Sequence, residues 1–222
     1  MGYYAEMRID ILTIFPEIVS PYLEASILGR AKKAGVKLSA VNLRDFARDK
    51  HSTTDDTPYG GGPGMVMLVE PIDRAVRALK SRGRKKKVRV ILTSASGKIF
   101  TQADARRLSK YDHLIFIAGR YEGVDERVEE HIADESLSIG NYVLTGGELP
   151  ALVMTDAVVR LQKGVLGNAE TLSDESHNTE GVLEYPQYSK PAKYRKWDVP
   201  KILLSGDHKK INEWREEHRK SA

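Results

Sequence analysis

Three short apolar segments, each followed directly by glycine, lie close together in the middle of this chain. They are segments 114–118 before Gly119, 137–139 before Gly140, and 143–145 before Gly146 and Gly147. Ligands of parallel α/β sheets bind outside the carboxyl ends of strands, where glycine lets the backbone approach them closely. The spacing therefore predicts three strand ends that share one binding site. Ordinary strand-to-helix turns are the alternative for any single segment. That alternative is weaker for the group, because Arg120, Tyr121 and Glu122 crowd into one loop.

The rest of the chain alternates between strand and helix patterns. Strands are predicted at 8–14, 36–43 and 88–93. Helices are predicted at 16–34, 71–81, 101–110 and 148–162. Strands that alternate with helices favour an α/β fold with a mainly parallel sheet. The length of 222 residues is enough for one sizeable domain and a small appendage.

A long polar loop is predicted at 44–63. Loops of this length are usually either functional or disordered. Segment 58–64, at its end, contains four glycines and two prolines, which would let it fold tightly against a ligand. No Gly-Lys-Ser/Thr follows, so it is not a P-loop. We interpret the loop as half of a substrate platform; a flexible surface loop is the alternative.

Several classes of protein are excluded or unsupported by composition and motifs. The chain has no cysteine and only six histidines, which excludes disulfides and thiolate metal sites and predicts no metal centre. Its apolar runs are too short to cross a bilayer, and its start contains no signal peptide, so we expect a cytoplasmic protein without a membrane partner. Neither the Rossmann nor the G-x-S-x-G hydrolase motif occurs.

Positive charge is concentrated in two places. Segment 189–222 has ten Lys or Arg residues against five Asp or Glu residues, and segment 82–89 is a second basic run. Uneven basic patches suit a polyanionic partner such as nucleic acid. A solvated charged surface is the alternative for each patch taken alone.

The central motifs also carry a specific resemblance. The segments GRYEGVDERV (119–128) and SIGNYVLTGGELPA (138–151) resemble those of the bacterial tRNA (guanine-N1)-methyltransferases, the TrmD family of SPOUT proteins. PYGGGPGMVM (58–67), KGVLG (163–167) and LLSGDH (203–208) fit the same family in the same order. The resemblance covers residues 7–219, so residues 1–6 are expected to be an extension.

The resemblance implies a fold and a domain organisation. It implies a SPOUT fold, in which the carboxyl-terminal half of the catalytic domain is threaded into a deep trefoil knot, plus a small helical C-terminal domain. The expected divisions are a knotted catalytic domain at 1–167, a linker or lid at 168–183, and a shortened basic tRNA-binding domain at 184–222. No local pattern predicts a knot, which is an exception among folds.

The resemblance also implies an activity. Family members transfer a methyl group from S-adenosyl-L-methionine to N1 of the guanosine at tRNA position 37, beside the anticodon. They act as homodimers whose active sites draw loops from both subunits. Some respond to Mg²⁺, although no cluster of metal ligands is visible in this sequence.

By resemblance, the cofactor is held by the glycine-containing loops and by the start of the following helix. The expected residues are Ser94, Gly119, Tyr121, Ile139, Gly140, Asn141, Tyr142, Val143, Leu144, Gly146, Gly147 and Pro150. Asn141 stands where the family usually has aspartate, which removes one negative charge. Ala95 and Ser96 stand where the family commonly has Pro-Gln. These departures weaken the transfer of roles at those three positions.

Methylation of guanine N1 calls for a base that takes the N1 proton and a cation near O6. Arg160 matches the active-site arginine of the family, and Glu122 matches its guanine-contacting glutamate. The family's catalytic aspartate falls in a segment that is one residue longer here. Counting from Arg160 favours Glu175 as the base, whereas moving the gap makes Asp174 the match. Arg120 is expected to pair with a phosphate or with Glu122.

Other interpretations remain open at this point. Without the resemblance, Arg160 is a residue that complements a helix dipole, and Glu122 is a surface acid. The second functional hypothesis is a non-catalytic RNA-binding protein on the same scaffold. A nucleotide-binding α/β enzyme that does not act on RNA is the third.

Overall fold

A five-stranded parallel sheet is the centre of the computed structural model, which describes residues 7–82, 87–167, 175–177, 179 and 181–221. The chain divides into two compact units, residues 1–167 and 168–222. The strands of the first unit are β1 (Arg8–Thr13), β2 (Lys37–Asn42), β3 (Asp55–Asp56), β4 (Val66–Met67), β5 (Val88–Ile99), β6 (His113–Ala118) and β7 (Glu135–Ser138). Its α-helices are α1 (Pro16–Glu24), α2 (Ser26–Lys33), α3 (Val69–Ser81), α4 (Gln102–Leu108), α5 (Glu126–His131) and α6 (Glu148–Val159).

The sheet order is β2-β1-β6-β5-β7, and every pairing within it is parallel. Central strand β6 is buried along its whole length. Leu114 and Phe116 belong to one apolar cluster, which includes residues of α1, α2, α4 and α6, whereas Ile115 and Ile117 belong to a second one with residues of α3 and α5. Because successive side chains of a strand point to opposite faces, helices cover both faces of the sheet. The predicted α/β class with a mainly parallel sheet is confirmed.

Three predicted elements differ from the structure. The single helix 16–34 is two helices, because Ala25 is extended and Ser26 has a φ of +46°. Strand β5 continues past residue 93, but its pairing with β7 shifts register between Thr93 and Lys98. The predicted strand 143–145 was wrong. The Tyr142 N–H donates to the Gly140 carbonyl instead, which turns the chain away from the sheet and leaves Val143 87% exposed.

The second unit contains both helical and strand elements. They are β8 (Val182–Leu183) paired with β11 (Lys220–Ser221), β9 (Lys193–Tyr194) paired with β10 (Trp197–Asp198), a 3-10 helix (Lys201–Leu204) and α7 (His208–Glu217). The Asp207 carboxylate accepts from the Lys210 N–H and caps α7. The unit is therefore not purely helical, and its role in tRNA binding stays a prediction.

A buried carboxylate joins the amino-terminal ends of β1 and β6. Asp10 is fully buried, and it accepts hydrogen bonds from the Arg8 guanidinium at 2.7 and 2.9 Å and from His113 Nε2 at 2.8 Å. Burial alone would raise the pKa of Asp10, but the hydrogen bonds from His113 and Arg8 outweigh it and lower the pKa below the usual range.

We expect Asp10→Asn to reduce the free energy of unfolding by about 2–3 kcal/mol at pH 7, because hydrogen bonds to a charged group are lost. A lowered carboxyl pKa gives stability that is present above the unfolded value near 4 and is lost as the pH falls further. In urea unfolding, the difference between wild type and variant should therefore shrink below about pH 4. A stability difference between wild type and variant that does not change with pH would contradict a lowered pKa of Asp10. Asp45→Asn, at an exposed carboxylate, is the control.

Candidate active site

A cavity of about 490 Å³ lies at the carboxyl-terminal end of the central sheet. Its walls come from segment 92–96 of β5, from segment 119–124 after β6, and from segment 137–147, which begins in β7. Pro150 of α6 and two glutamates of α5 complete it. The register shift of β5 thus has a structural consequence, since residues 94–96 lie in the cavity wall where the ladder is interrupted.

The residues predicted to hold a cofactor come together in this wall. Ser94, Gly119, Tyr121, Pro150 and the predicted residues of segment 139–147 all line the cavity, except Asn141. Asn141 is exposed and lies on the same loop. Glu122, predicted to contact guanine, also lines the cavity.

Gly147 brings two of the loops into direct contact. Its N–H donates to the Gly119 carbonyl at 2.8 Å. A Cβ at position 147 would overlap the Thr93 hydroxyl and lie 2.9 Å from both the Ala118 Cα and the Gly119 nitrogen. Only glycine allows the backbone this close an approach. The cavity floor therefore depends on a residue without a side chain.

The loop after β6 is held in an uncommon backbone conformation. Tyr121 has a φ of +58° and Gly123 a φ of +126°, and the Gly123 N–H closes the turn onto the Arg120 carbonyl. The Glu122 N–H donates to the Met65 carbonyl, and Gly64 lies so close to Glu122 that a Cβ there would be 2.5 Å from Oε1. The end of the glycine-rich segment 58–64 thus lies beside Glu122.

A largely buried ion pair at the cavity wall was missed by sequence reasoning. Arg120 Nε donates to Glu148 Oε2 at 2.9 Å, and Glu148, only 1% exposed, also accepts from the Thr13 hydroxyl at 2.7 Å. The Arg120 guanidinium reaches the Thr145 carbonyl at 3.3 Å and lies 4.8 Å from the Phe15 ring centre. Of the two partners expected for Arg120, Glu122 was wrong, because the guanidinium pairs with Glu148 instead, and a phosphate stays a prediction. The available signal was Glu148 itself, a charged residue at the start of an apolar helix.

The charge around the cavity is predominantly negative. Glu122, Glu126 and Glu129 line it, while the charge of Arg120 is compensated by Glu148. Apolar side chains such as Leu137, Ile139 and Leu144 provide the remaining surface. The cavity therefore suits a ligand with an apolar or aromatic part and a positive charge.

The other predicted catalytic residues that the structure describes are Arg160 and Glu175. Arg160 is the half-buried residue that ends α6, whereas Gly147 precedes the first residue of that helix. Twelve helical residues separate the two ends by roughly 18 Å, so a single chain does not bring Arg160 into the cavity. Glu175 is half-buried in the second unit. Asp174 lies outside the described residues.

Neither a metal centre nor a membrane span is evident in the part of the chain that the structure describes. No group of three or more His, Asp or Glu side chains within the described ranges is arranged to hold a metal ion. Among the helices described here, none combines the length and the apolar character needed to cross a bilayer.

The chain is similar to known proteins over almost its whole length. Residues 7–222 match the family model described as tRNA (Guanine-1)-methyltransferase TrmD. The tRNA (guanine-N(1)-)-methyltransferase of Ruminiclostridium cellulolyticum is 52% identical over 210 residues, which cover 94% of this chain and 89% of the relative. The Dictyoglomus turgidum protein of the same name is 56% identical over 94% of this chain and 83% of its own length.

A solved structure agrees with these relatives. The crystal structure of tRNA (m1G37) methyltransferase from Aquifex aeolicus matches with a TM-score of 0.79 and 40% identity, over 96% of this chain and 88% of that one. The predicted SPOUT fold is confirmed by this likeness, whereas the knot itself stays a prediction. By the family model and by these relatives, the chain belongs to the TrmD family of tRNA (guanine-1)-methyltransferases.

Proposed function

We propose that this chain transfers the methyl group of S-adenosyl-L-methionine to N1 of the guanosine at tRNA position 37. The observation that carries the proposal is the cavity at the carboxyl ends of β5, β6 and β7, built from the glycine-containing loops of a TrmD-family chain. The names of its relatives give the reaction and the substrate class. The similar Aquifex aeolicus enzyme is a tRNA (m1G37) methyltransferase, which supports position 37 as the target.

The residues of the cavity fit the proposed cofactor. A volume of about 490 Å³ is in the range of small-molecule sites. Because Gly147 has no side chain, the cavity floor at this position is formed by backbone atoms. The backbone of segment 139–147 would receive the adenine ring of the cofactor. Glu122, Glu126 and Glu129 would favour the positive charge of a sulfonium and an amine. The cofactor, when bound, supplies an activated methyl group on that sulfonium.

The chemistry of guanine assigns roles to the protein residues. The N1 proton is only weakly acidic and has to leave as the methyl group arrives, so a carboxylate base is needed. We assign this role to Glu175, with Asp174 as the alternative. A cation stabilises the negative charge that develops at O6, which is the role we give to Arg160. Glu122, on the cavity wall, can accept from the N–H groups at the guanine edge.

These roles require two copies of the chain. Because Arg160 is at the far end of α6 from the cavity, we propose that it serves the cavity of a partner subunit. Exposed apolar side chains on α1 and α6 provide a surface for such a partner. They are Ile18 and Tyr22 on α1, and Leu149 and Val153 on α6. We therefore propose a homodimer acting on tRNA in the cytoplasm.

The experiment is methyl transfer from labelled S-adenosyl-L-methionine to an unmodified tRNA transcript. Parallel reactions use guanine or adenine at position 37, each with Mg²⁺ and with a chelator. We expect incorporation only with guanine. Cofactor binding without incorporation would contradict the enzyme proposal and favour a non-catalytic RNA-binding protein.

Glu175→Gln is expected to lower kcat by about 10²-fold or more, since a general base contributes roughly 10²–10⁴-fold. Binding of cofactor and tRNA should be retained, because the amide has nearly the same shape. Single-turnover rates with saturating tRNA measure this effect. Asp174→Asn is the matched comparison. The larger loss identifies the base, and near wild-type rates in both variants would remove the role from both residues.

A further inference from the structure

A small hairpin projects from the second unit with its side chains in solvent. Strands β9 and β10 pair through Tyr194 opposite Trp197, so a two-residue turn, Arg195–Lys196, connects them. Arg195 has a φ of +55°, and every residue from 191 to 198 is exposed. The Val199 N–H donates to the Ala192 carbonyl and closes the base of the hairpin.

The hairpin presents two neighbouring aromatic rings. The ring centres of Tyr194 and Trp197 are 5.8 Å apart, and the side chains are 54% and 67% exposed. The Arg195 guanidinium lies 5.4 Å from the Tyr194 ring centre. Aromatic side chains this large normally bury most of their area, so two exposed together on one short element point to a ligand.

The other tryptophan of the chain lies in a different environment. The Trp214 ring stacks on the His218 ring at 4.0 Å and lies 6.3 Å from the Tyr188 ring. Trp214 thus has packing partners within its own unit. Trp197 contacts Tyr194 across the hairpin and remains 67% exposed.

The charge around the rings selects the class of ligand. Lys190, Lys193, Arg195 and Lys196 are basic, whereas Asp198 is the one acidic residue of segment 190–198 and lies 3.6 Å from Lys193. Flat aromatic faces among cations bind single-stranded nucleic acid, with bases stacked on the rings and phosphates near the cations. A basic protein surface would be repelled here.

We propose that the β9–β10 hairpin is a stacking platform for an unpaired nucleobase of the tRNA, with Trp197 as the principal ring and Arg195 and Lys196 as phosphate contacts. This inference rests on the proposed function, because it takes tRNA as the substrate. It adds a recognition element built from residues of the second unit that do not line the cofactor cavity.

The first experiment measures tRNA affinity of full-length variants at several salt concentrations. Trp197→Ala should weaken binding by about tenfold, the size of one lost stacking contact, without changing the salt dependence. Trp197→Phe should recover most of the affinity, because it keeps an aromatic face. Lys196→Ala should instead reduce the slope of log K against log salt by roughly one. Leu204→Ala, at a 57% exposed side chain of the same unit, should leave binding unchanged.

The second experiment uses the fluorescence of Trp197, and it tests the proposal even if the Trp197→Ala variant fails to fold. In Trp214→Phe, Trp197 is the only tryptophan. An anticodon stem-loop should quench its emission, whereas a fully paired RNA of equal length should not. Equal affinities of wild type and Trp197→Ala with no quenching would overturn the platform. A blue-shifted emission in the free protein would do the same and indicate a protein contact at the hairpin. Methyl transfer by the wild type in either case would leave the proposed function standing.

Discussion

Gly147→Ala is expected to weaken binding of S-adenosyl-L-methionine by at least tenfold and to lower the melting temperature. The new methyl group would overlap the Thr93 hydroxyl and press on the backbone of Ala118 and Gly119. Two of these neighbours are main-chain atoms of β6 and its end, so they cannot rotate away. Overpacking of this kind typically lowers the free energy of unfolding by about 1–3 kcal/mol. Because the displaced atoms form the cavity floor, the substitution also affects the binding of the cofactor. Calorimetric titration of the cofactor measures the loss of affinity.

Gly167→Ala is the matched control for this substitution. Its Cβ would meet no atom within 4 Å, so the same chemical change is made in open space. We expect cofactor affinity and melting temperature close to those of the wild type. If Gly147→Ala bound the cofactor as well as Gly167→Ala does, the cavity would not be the cofactor site.

Arg120→Met is expected to destabilise the protein by about 3 kcal/mol and to weaken cofactor binding. The substitution leaves the Glu148 carboxylate buried with only the Thr13 hydroxyl as a described partner, and breaking a buried pair typically costs about 3–5 kcal/mol. Because the Arg120 side chain keeps 18% exposure, we expect the lower end of that range. The contacts of Arg120 with the Thr145 carbonyl and the Phe15 ring are lost as well, so the loop before α6 should loosen.

Urea unfolding and cofactor titration measure the two effects of Arg120→Met. Arg127→Met is the control, because Arg127 pairs with Asp125 at the surface, where ion pairs contribute little. A double variant, Arg120→Met with Glu148→Leu, should recover stability, since no buried charge is left unpaired. It should not recover cofactor affinity. Full recovery of both would show that Arg120 does not position the loop.

The fold was predictable where burial dominates. The run 114–118 is apolar at every position, and it forms β6, which is covered on both faces. Predictions failed where a local hydrogen bond or a tertiary contact determines the backbone conformation. The segment 143–145 has strand-forming residues, but the turn at Gly140 and Tyr142 directs it into the cavity wall. The break between α1 and α2 follows from the left-handed backbone conformation of Ser26, which no local sequence pattern predicts.

The cavity was also predictable, because glycine directly after a parallel strand indicates a position where the backbone approaches a ligand closely. Gly119 and Gly147 were found in this way, and they do meet at the cavity. The ion pair of Arg120 with Glu148 was not found, since its partners are far apart in sequence and only the folded sheet brings them together. Arg160 lies at the far end of α6 from the cavity in a single chain, so the role that we propose for it depends on the proposed second copy.

The most direct test of the proposed function is to identify the methylated nucleoside. A tRNA transcript is incubated with the protein and S-adenosyl-L-methionine, and position 37 is then analysed by nuclease digestion and mass spectrometry. We predict N1-methylguanosine at position 37 and at no other position. A methyl group on the ribose, or on another nucleotide, would contradict the assignment of the reaction.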